Sequence, residues 1–532
     1  NYFIIVMTKK NLILLILLTI YTLFGVWLSI NTGISHDAYH EQKNWLINVE
    51  GIKLFFTTGE YQNLIDYRDK YHGIGFHLFS QPIQFAFVSL TEMVSGASFY
   101  GSYLIAKNAA VFIIFSISAI FFYLLAKKIS KSFNFALIST IIYIFYPYLF
   151  GHAQINPKDV PFLSVWLINS YLFLVFIENI INDNKIKIVN VIILSFFSAY
   201  LISIRISGII IFIQYLIALL IAFNNTTVDF KSIIKKRSNL ILYFFISFLS
   251  FLFILNPIFW HNPLEFFNSI KWMGKYQQNV CTLTLGDCLK SLNLPASYYF
   301  IWLFFKLPII IIFGFLLFPL IENKIFKKDT ITKIYYLTLL ISPISIILIF
   351  ILKDIALYDE IRHIMFLIPM IFLVSLLNIF LLNKKLFYLM TIPCALFFMV
   401  ENFSINPYQY TWLNSFAKTN KIDKTFEVDY WGISNKNLQK KIIEYTSSNS
   451  VNNEICVYGD TYVREFLVKS GFSCFKNYTE LDSAKVRPLI AYQNVRNIKR
   501  SNPRDCELIY EEKYQYTFSN QNIKVANLWY CN

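Results

Sequence analysis

Charge is scarce in this chain. Asp, Glu, Lys and Arg make up 15% of its 532 residues, against 56% hydrophobic residues and a mean hydropathy of +0.50. No soluble domain of this size needs so much apolar material to build one core, so the class is a polytopic membrane protein. The sequence has no internal repeat and no low-complexity linker. It has no Cys-x-x-Cys and no histidine pattern near its cysteines, which argues against a zinc cluster. The first apolar run, Asn11 to Ile30, lacks charge and a small-residue cleavage site. It is also too long for a signal-peptide core and reads as a retained span. Met7 is a candidate start, with Asn1 to Val6 then lying upstream.

Acid is scarcer than base, 32 residues against 47, and the net charge of +15 raises the question of nucleic acid. The distribution answers it. Apolar runs place spans near 11–30, 104–126, 133–150, 161–181, 189–204, 207–223, 239–258, 298–320, 334–352, 364–382 and 386–402, eleven in all. With the N-terminus inside, the short inner segments carry Lys9-Lys10, Lys127-Lys128 and Lys131, Lys185 and Lys187, Lys231 with Lys235-Lys236-Arg237, Lys324 with Lys327-Lys328, and Lys384-Lys385. The outer segments are longer and mixed. This is the positive-inside pattern of an inner-membrane protein with its C-terminal part outside, and it leaves no nucleic-acid patch. Six of the seven cysteines, Cys281, Cys288, Cys456, Cys474, Cys506 and Cys531, fall outside, and only Cys394 lies in a span. An even number in an oxidising compartment predicts disulfides, most simply between neighbours in sequence.

Residues 1–402 therefore read as a membrane body with outer loops at 31–102 and 259–297, and 403–532 as a small α/β domain outside. In the first loop, Trp45, Phe55, Phe56, Phe76, Phe79 and Phe85 suggest helices lying in the membrane interface. After Glu401, the pattern gives helices at Asn435 to Tyr445 and Thr461 to Lys469. It gives strands at Glu454 to Tyr458, Pro488 to Gln493, Glu507 to Tyr514 and Ile523 to Tyr530.

Chemistry-bearing residues gather where spans meet the outside. Asp37 follows the first span in Ser35-His36-Asp37-Ala38-Tyr39-His40, and Asp159 stands in Asn156-Pro157-Lys158-Asp159-Val160-Pro161, where the two prolines should stop helices and fix a turn. Arg205 interrupts an apolar stretch, a costly place for a cation unless it meets an anion. Tyr358-Asp359-Glu360-Ile361-Arg362-His363 opens the tenth span.

With HDAYH, NPKDVPF, RISG, LPASYYFIWLFFKLP, YDEIRH, NPYQYTWLN and FEVDYWG in this order, the chain resembles bacterial glycosyltransferase family 39. That family is akin to protein O-mannosyltransferases and the lipid A aminoarabinose transferase. The resemblance implies a GT-C fold and transfer, with inversion, of a sugar from a polyprenyl-phosphate donor to an envelope acceptor on the outer face. Many relatives carry Asp-Glu at the first motif; here Ala38 follows Asp37, so a second acid's role falls to Glu41, His36 or His40, or is absent. On this reading Asp37 is the general base. Arg205 leads as phosphate ligand, with Lys158 and Arg362 behind it, since a guanidinium matches phosphate bidentately. Asp159 would orient the acceptor or share a divalent metal ion, although no spacing amounts to a metal motif, and Asp359 and His363 are accessory.

Each residue also has a plainer reading. Asp37 and Asp159 can be helix caps, Arg205 can snorkel to headgroups, Asp359 and Arg362 can form an exposed pair, and the histidines can be interfacial hydrogen-bonders. A transporter or lipid flippase is the competing function. It is disfavoured because the polar residues cluster at one face and no inverted repeat is present.

Overall fold

In hydrocarbon every backbone donor and acceptor must be met within the chain, and the apolar runs meet this demand as helices. The computed structural model describes residues 9–226, 230–274, 279–419, 421–449, 454–459, 462–484, 487–494 and 502–532. Asn1 to Met7, Thr461 and the side chains of Lys9, Lys231 and Lys235 lie outside the described residues. Among them, eight helices are long and apolar enough to cross a membrane, and up to ten spans result if two bent pairs each count as one. The shorter apolar helix Ile188–Ile204 accounts for the remaining expected span. The chain is a multi-pass membrane protein.

The bends have local causes. Phe133–Phe145 and Pro147–Ile155 meet at 57°, and Ser297–Lys306 and Ile309–Leu316 at 119°. In each case a proline, Pro147 or Pro308, holds the residue before it extended: Tyr146 at ψ 115° and Leu307 at ψ 139°. The spans expected at 133–150 and 298–320 are therefore broken ones. Pro161 departs from expectation the other way. It sits in the first turn of helix Asp159–Ile181, where its missing N–H is no loss, and does not stop a helix.

Burial ranks the spans. Arg362–Leu382 and Asp159–Ile181 are 94% and 89% buried, whereas Leu12–Ser29 and Lys236–Leu255 are 22% and 17% buried, which makes the first pair central and the second peripheral. Residues such as Leu17, Ile20, Leu23, Leu389 and Leu396 leave an apolar surface for lipid. At the lysine-rich ends, Lys128 pairs with Glu178 and Lys131 with Asp329, at 2.6 and 2.7 Å.

Two long helices, His36–Thr58 and Gly75–Ser95, follow the first span. Only part of their aromatic set faces outward. Phe56 and Phe85 are exposed, but Phe76 is buried and Trp45 stacks on His77.

Strands β1 (Cys281–Thr284) and β2 (Asp287–Lys290) form a hairpin closed by Cys281–Cys288. The C-terminal sheet contains β3 (Cys456–Gly459), β4 (Phe475–Asn477), β5 (Leu489–Asn494), β6 (Cys506–Tyr514) and β7 (Ile523–Cys531), in the order β4-β3-β5-β7-β6. β3 runs parallel to both neighbours, and β7 antiparallel to both of its own. Disulfides Cys456–Cys474 and Cys506–Cys531 staple it, and Cys394 is free. Helix Asn435–Ser448 forms as expected; the second helix is shorter, Val463–Leu467, and ends in a 3-10 turn. The largest apolar core continues past residue 403, taking in Tyr408, Trp412, Phe426, Trp431 and Tyr514.

Candidate active site

Helix His36–Thr58 begins one residue before Asp37, so the carboxylate stands in the first turn, where the helix dipole favours negative charge. Its side chain is 34% exposed, and Oδ2 lies 3.2 Å from a terminal nitrogen of Arg362. Asp159 also opens a helix. Its Oδ2 accepts a 2.9 Å hydrogen bond from Asn156 Nδ2, while Asn156 Oδ1 accepts the backbone N–H of Lys158 and of Asp159. A single asparagine thus caps the helix and orients its first acid.

Two guanidiniums converge on these acids. Arg205 stands where Ile188–Ile204 gives way to a short 3-10 segment, and it meets Asp159 Oδ1 at 2.6 Å. The anion that its apolar surroundings require is therefore Asp159. Arg362 is the hub. It reaches Asp37 and Asp159 with one nitrogen, at 3.2 and 3.4 Å, and Asp359 with the other, at 3.3 Å. Its guanidinium lies between the rings of Tyr358 and Trp431, 4.8 and 4.9 Å from their centroids, and is buried. The Asp359–Arg362 pair is buried, not exposed: its side chains are 6% and 4% accessible.

Behind this cluster runs a second one. Lys158 points away from Asp159 and reaches Glu41 Oε2 at 3.2 Å and the Gly73 carbonyl at 2.8 Å. Glu41 also meets His77, and His77 Nδ1 lies 3.1 Å from Lys107, which donates to Gln42. Burial alone would raise the Glu41 carboxyl; Lys158 and the His77 hydrogen bond overcome this and hold it well below the usual carboxylate range. Burial, with Lys107 adding to it, pushes His77 down to about 3, so its ring is neutral.

The structure therefore brings together Asp37, Asp159, Asp359, Arg205 and Arg362, and places Glu41 and Lys158 one layer behind. His36 rests its ring against Tyr462, His40 is exposed beside Tyr39, and His363 is half-buried against Tyr358. The sequence reading missed Asn156, His77, Lys107, Tyr358 and Trp431 as partners of these groups. Trp431 stands in the FEVDYWG motif, and an aromatic residue able to cover a cation was its only signal.

That motif also fastens the site to the C-terminal domain. Buried Asp429 accepts from Tyr410, Ser434 Oγ and the Ile433 amide, and burial, opposed by these hydrogen bonds, raises its carboxyl to about 6. The Trp431 carbonyl accepts the His36 amide at 3.0 Å. Asn435 bonds both the N–H and the C=O of Ile34, at 3.2 and 2.8 Å, and Lys436 donates to the Asn31 carbonyl.

A divalent metal does not fit this arrangement. Both oxygens of Asp159 already face guanidiniums, and among the described residues no group of three or more His, Cys, Asp or Glu could hold a metal ion.

No family model and no curated protein matches the chain. Solved structures do resemble it, and two of them show how far. Both are ArnT from Cupriavidus metallidurans. The form bound to undecaprenyl phosphate has 11% sequence identity and a TM-score of 0.44, and the apo form 10% and 0.47. In each comparison 98% of this chain and 98% of ArnT are covered.

Proposed function

We propose that this protein is an inverting glycosyltransferase that moves a sugar from a polyprenyl-phosphate donor to a hydroxyl of an envelope protein, lipid or glycan. Its site faces the outside, and its N-terminus and lysine-rich ends face the cytoplasm. The observation that carries the reading is the division of labour among the acids. Asp159 and Asp359 are buried against guanidiniums, whereas Asp37, in the same cluster, is one-third exposed. A base must reach an incoming acceptor, and Asp37 can do so. It takes the hydroxyl proton as the acceptor oxygen bonds the anomeric carbon. The bond from that carbon to the phosphate oxygen breaks on the opposite side, and its electron pair leaves with the polyprenyl phosphate.

The leaving phosphate needs a cation with free valence. Arg362 is committed to three aspartates and two rings, so its part is to hold Asp37 and Asp359 in place. Arg205 is more accessible, with 17% of its side chain exposed and Asp159 as its carboxylate partner, and it is the phosphate ligand of this reading. Lys158 is engaged by Glu41 and Gly73 and leaves the donor set.

The test is turnover by Asp37→Asn, which keeps shape and polarity but accepts no proton at neutral pH. Its rate should fall by roughly two to four orders of magnitude, the usual range for general-base catalysis, while binding of undecaprenyl phosphate survives. Transfer at the wild-type rate by the folded variant sinks the mechanism.

A further inference from the structure

Glu360 lies between two residues of the cluster, yet its side chain points away from them into the interior. Its carboxylate meets the ammonium of Lys306 at 2.7 Å, and both side chains are fully buried. Lys306 is the last residue of helix Ser297–Lys306, directly before the 119° bend. Its ammonium lies 4.7 and 5.7 Å from the ring centroids of Tyr148 and Trp302, and it donates to the Tyr410 carbonyl. A buried ion pair of this kind adds little net stability over an apolar pair of the same size, because desolvation offsets its attraction. Its presence calls for another reason.

The backbone supplies one. Asp359 and Glu360 are consecutive non-glycine residues at φ +53° and +69°. Side chains disfavour this left-handed region, and such residues persist only where their surroundings over-determine them. Here the Asp359 amide donates to Thr282 Oγ1 at 2.9 Å, and Tyr298 donates to the Glu360 carbonyl at 3.1 Å. The Glu360 side chain is a further tether, reaching out of the loop to Lys306. The two left-handed residues reverse the chain immediately before Ile361 and Arg362, so that Asp359 and Arg362 face each other and the remaining aspartates.

We propose that the buried Lys306–Glu360 pair is a positioning device that locks the 358–362 loop in its left-handed turn and thereby sets Arg362 and Asp359 in the site. Neither residue of the pair touches substrate. The value of the locked turn for donor binding rests on the transferase reading above; the locking itself does not.

The experiment uses the full chain in nanodiscs. Lys306→Met/Glu360→Met replaces the pair with apolar side chains of similar length, leaves no buried charge unpaired and should melt within a few degrees of wild type. Glu360→Asp keeps both charges but shortens the reach by one methylene. Hydrogen exchange of the amides in 357–364 is expected to rise at least tenfold in the double variant and by less in Glu360→Asp, with the spans unchanged. Arg362 shares Asp159 with the phosphate ligand Arg205, so affinity for undecaprenyl phosphate, measured by native mass spectrometry, should fall about tenfold in the double variant and partly recover in Glu360→Asp. Wild-type exchange rates at 357–364 in both variants would overturn the proposal, as would faster exchange with wild-type donor affinity. If wild-type protein fails to bind undecaprenyl phosphate while exchange still rises in the variants, the locking stands and the transferase reading falls.

Discussion

Arg205 and Arg362 carry the same charge beside the same aspartate, yet their surroundings assign them different work. Arg362 is enclosed by two rings and three carboxylates; Arg205 keeps an accessible edge. Arg205→Ala should therefore weaken undecaprenyl phosphate binding by tenfold or more, and Arg205→Lys should recover only part, since a point charge lacks the planar fork. Equal donor affinity in wild type and both variants would remove Arg205 from the site. Asp429 offers a residue-scale test of a different kind. Its folded carboxyl titrates near 6, above the ordinary 3.8. Between about pH 4 and 6 the unfolded chain gives up this proton while the folded chain keeps it, so stability falls as pH rises through that window and is level above it. Thermal unfolding of detergent-solubilised protein should show the slope, and Asp429→Asn should flatten it. An unchanged slope would place the titrating group elsewhere. Asp37, Asp159, Arg205, Asp359 and Arg362 were all legible in the sequence, because each interrupts or ends an apolar run where a charge needs a reason. The pairing of Glu41 with Lys158 was not. These residues stand 117 positions apart, and both look like ordinary loop charges until His77 and Lys107 are packed around them.

At the scale of elements, the apolar runs announced the spans well but hid their shape. Pro147 and Pro308 are visible in the sequence, yet whether a proline kinks a span or begins a new helix depends on what the bend packs against. Arg205 likewise marked a break between 189 and 223 without revealing that a 3-10 segment, Ile206–Ile210, would turn it toward Asp159. Strand β4 escaped because three residues show no alternation to read. The disulfides were readable from position and spacing. Nonreducing peptide mapping of protein from intact membranes should recover Cys281–Cys288, Cys456–Cys474 and Cys506–Cys531 and leave Cys394 alkylatable; six reduced thiols would contradict the proposed orientation. The first of these closes the hairpin whose Thr282 holds the Asp359 amide, so it supports the site as well as the outer loop.

Across the whole molecule, the membrane body and the C-terminal sheet meet at the short segment that leads into Asp37. Asn435 replaces a missing strand partner there, bonding both backbone groups of Ile34 as a neighbouring strand would. Asn435→Ala removes both bonds. Loss of two buried hydrogen bonds costs on the order of 1–3 kcal/mol, enough to loosen the segment without unfolding the spans. Turnover should drop by about tenfold with donor affinity kept, since Arg205 belongs to another element; an unaltered rate would show that Asp37 is held by its own helix alone. These partners are 401 residues apart in sequence, and this distance has a consequence for how the protein is made. A ribosome delivers Ile34 and Asp37 early, long before Asn435 exists, and the sheet next to Asn435 is stapled by Cys456–Cys474 and Cys506–Cys531, which close later still. On the transferase reading the nascent protein is thus inserted first and armed last: the proposed base, Asp37, gains its Asn435-held neighbour only when the tail has been made, so maturation of the tail is expected to complete the site.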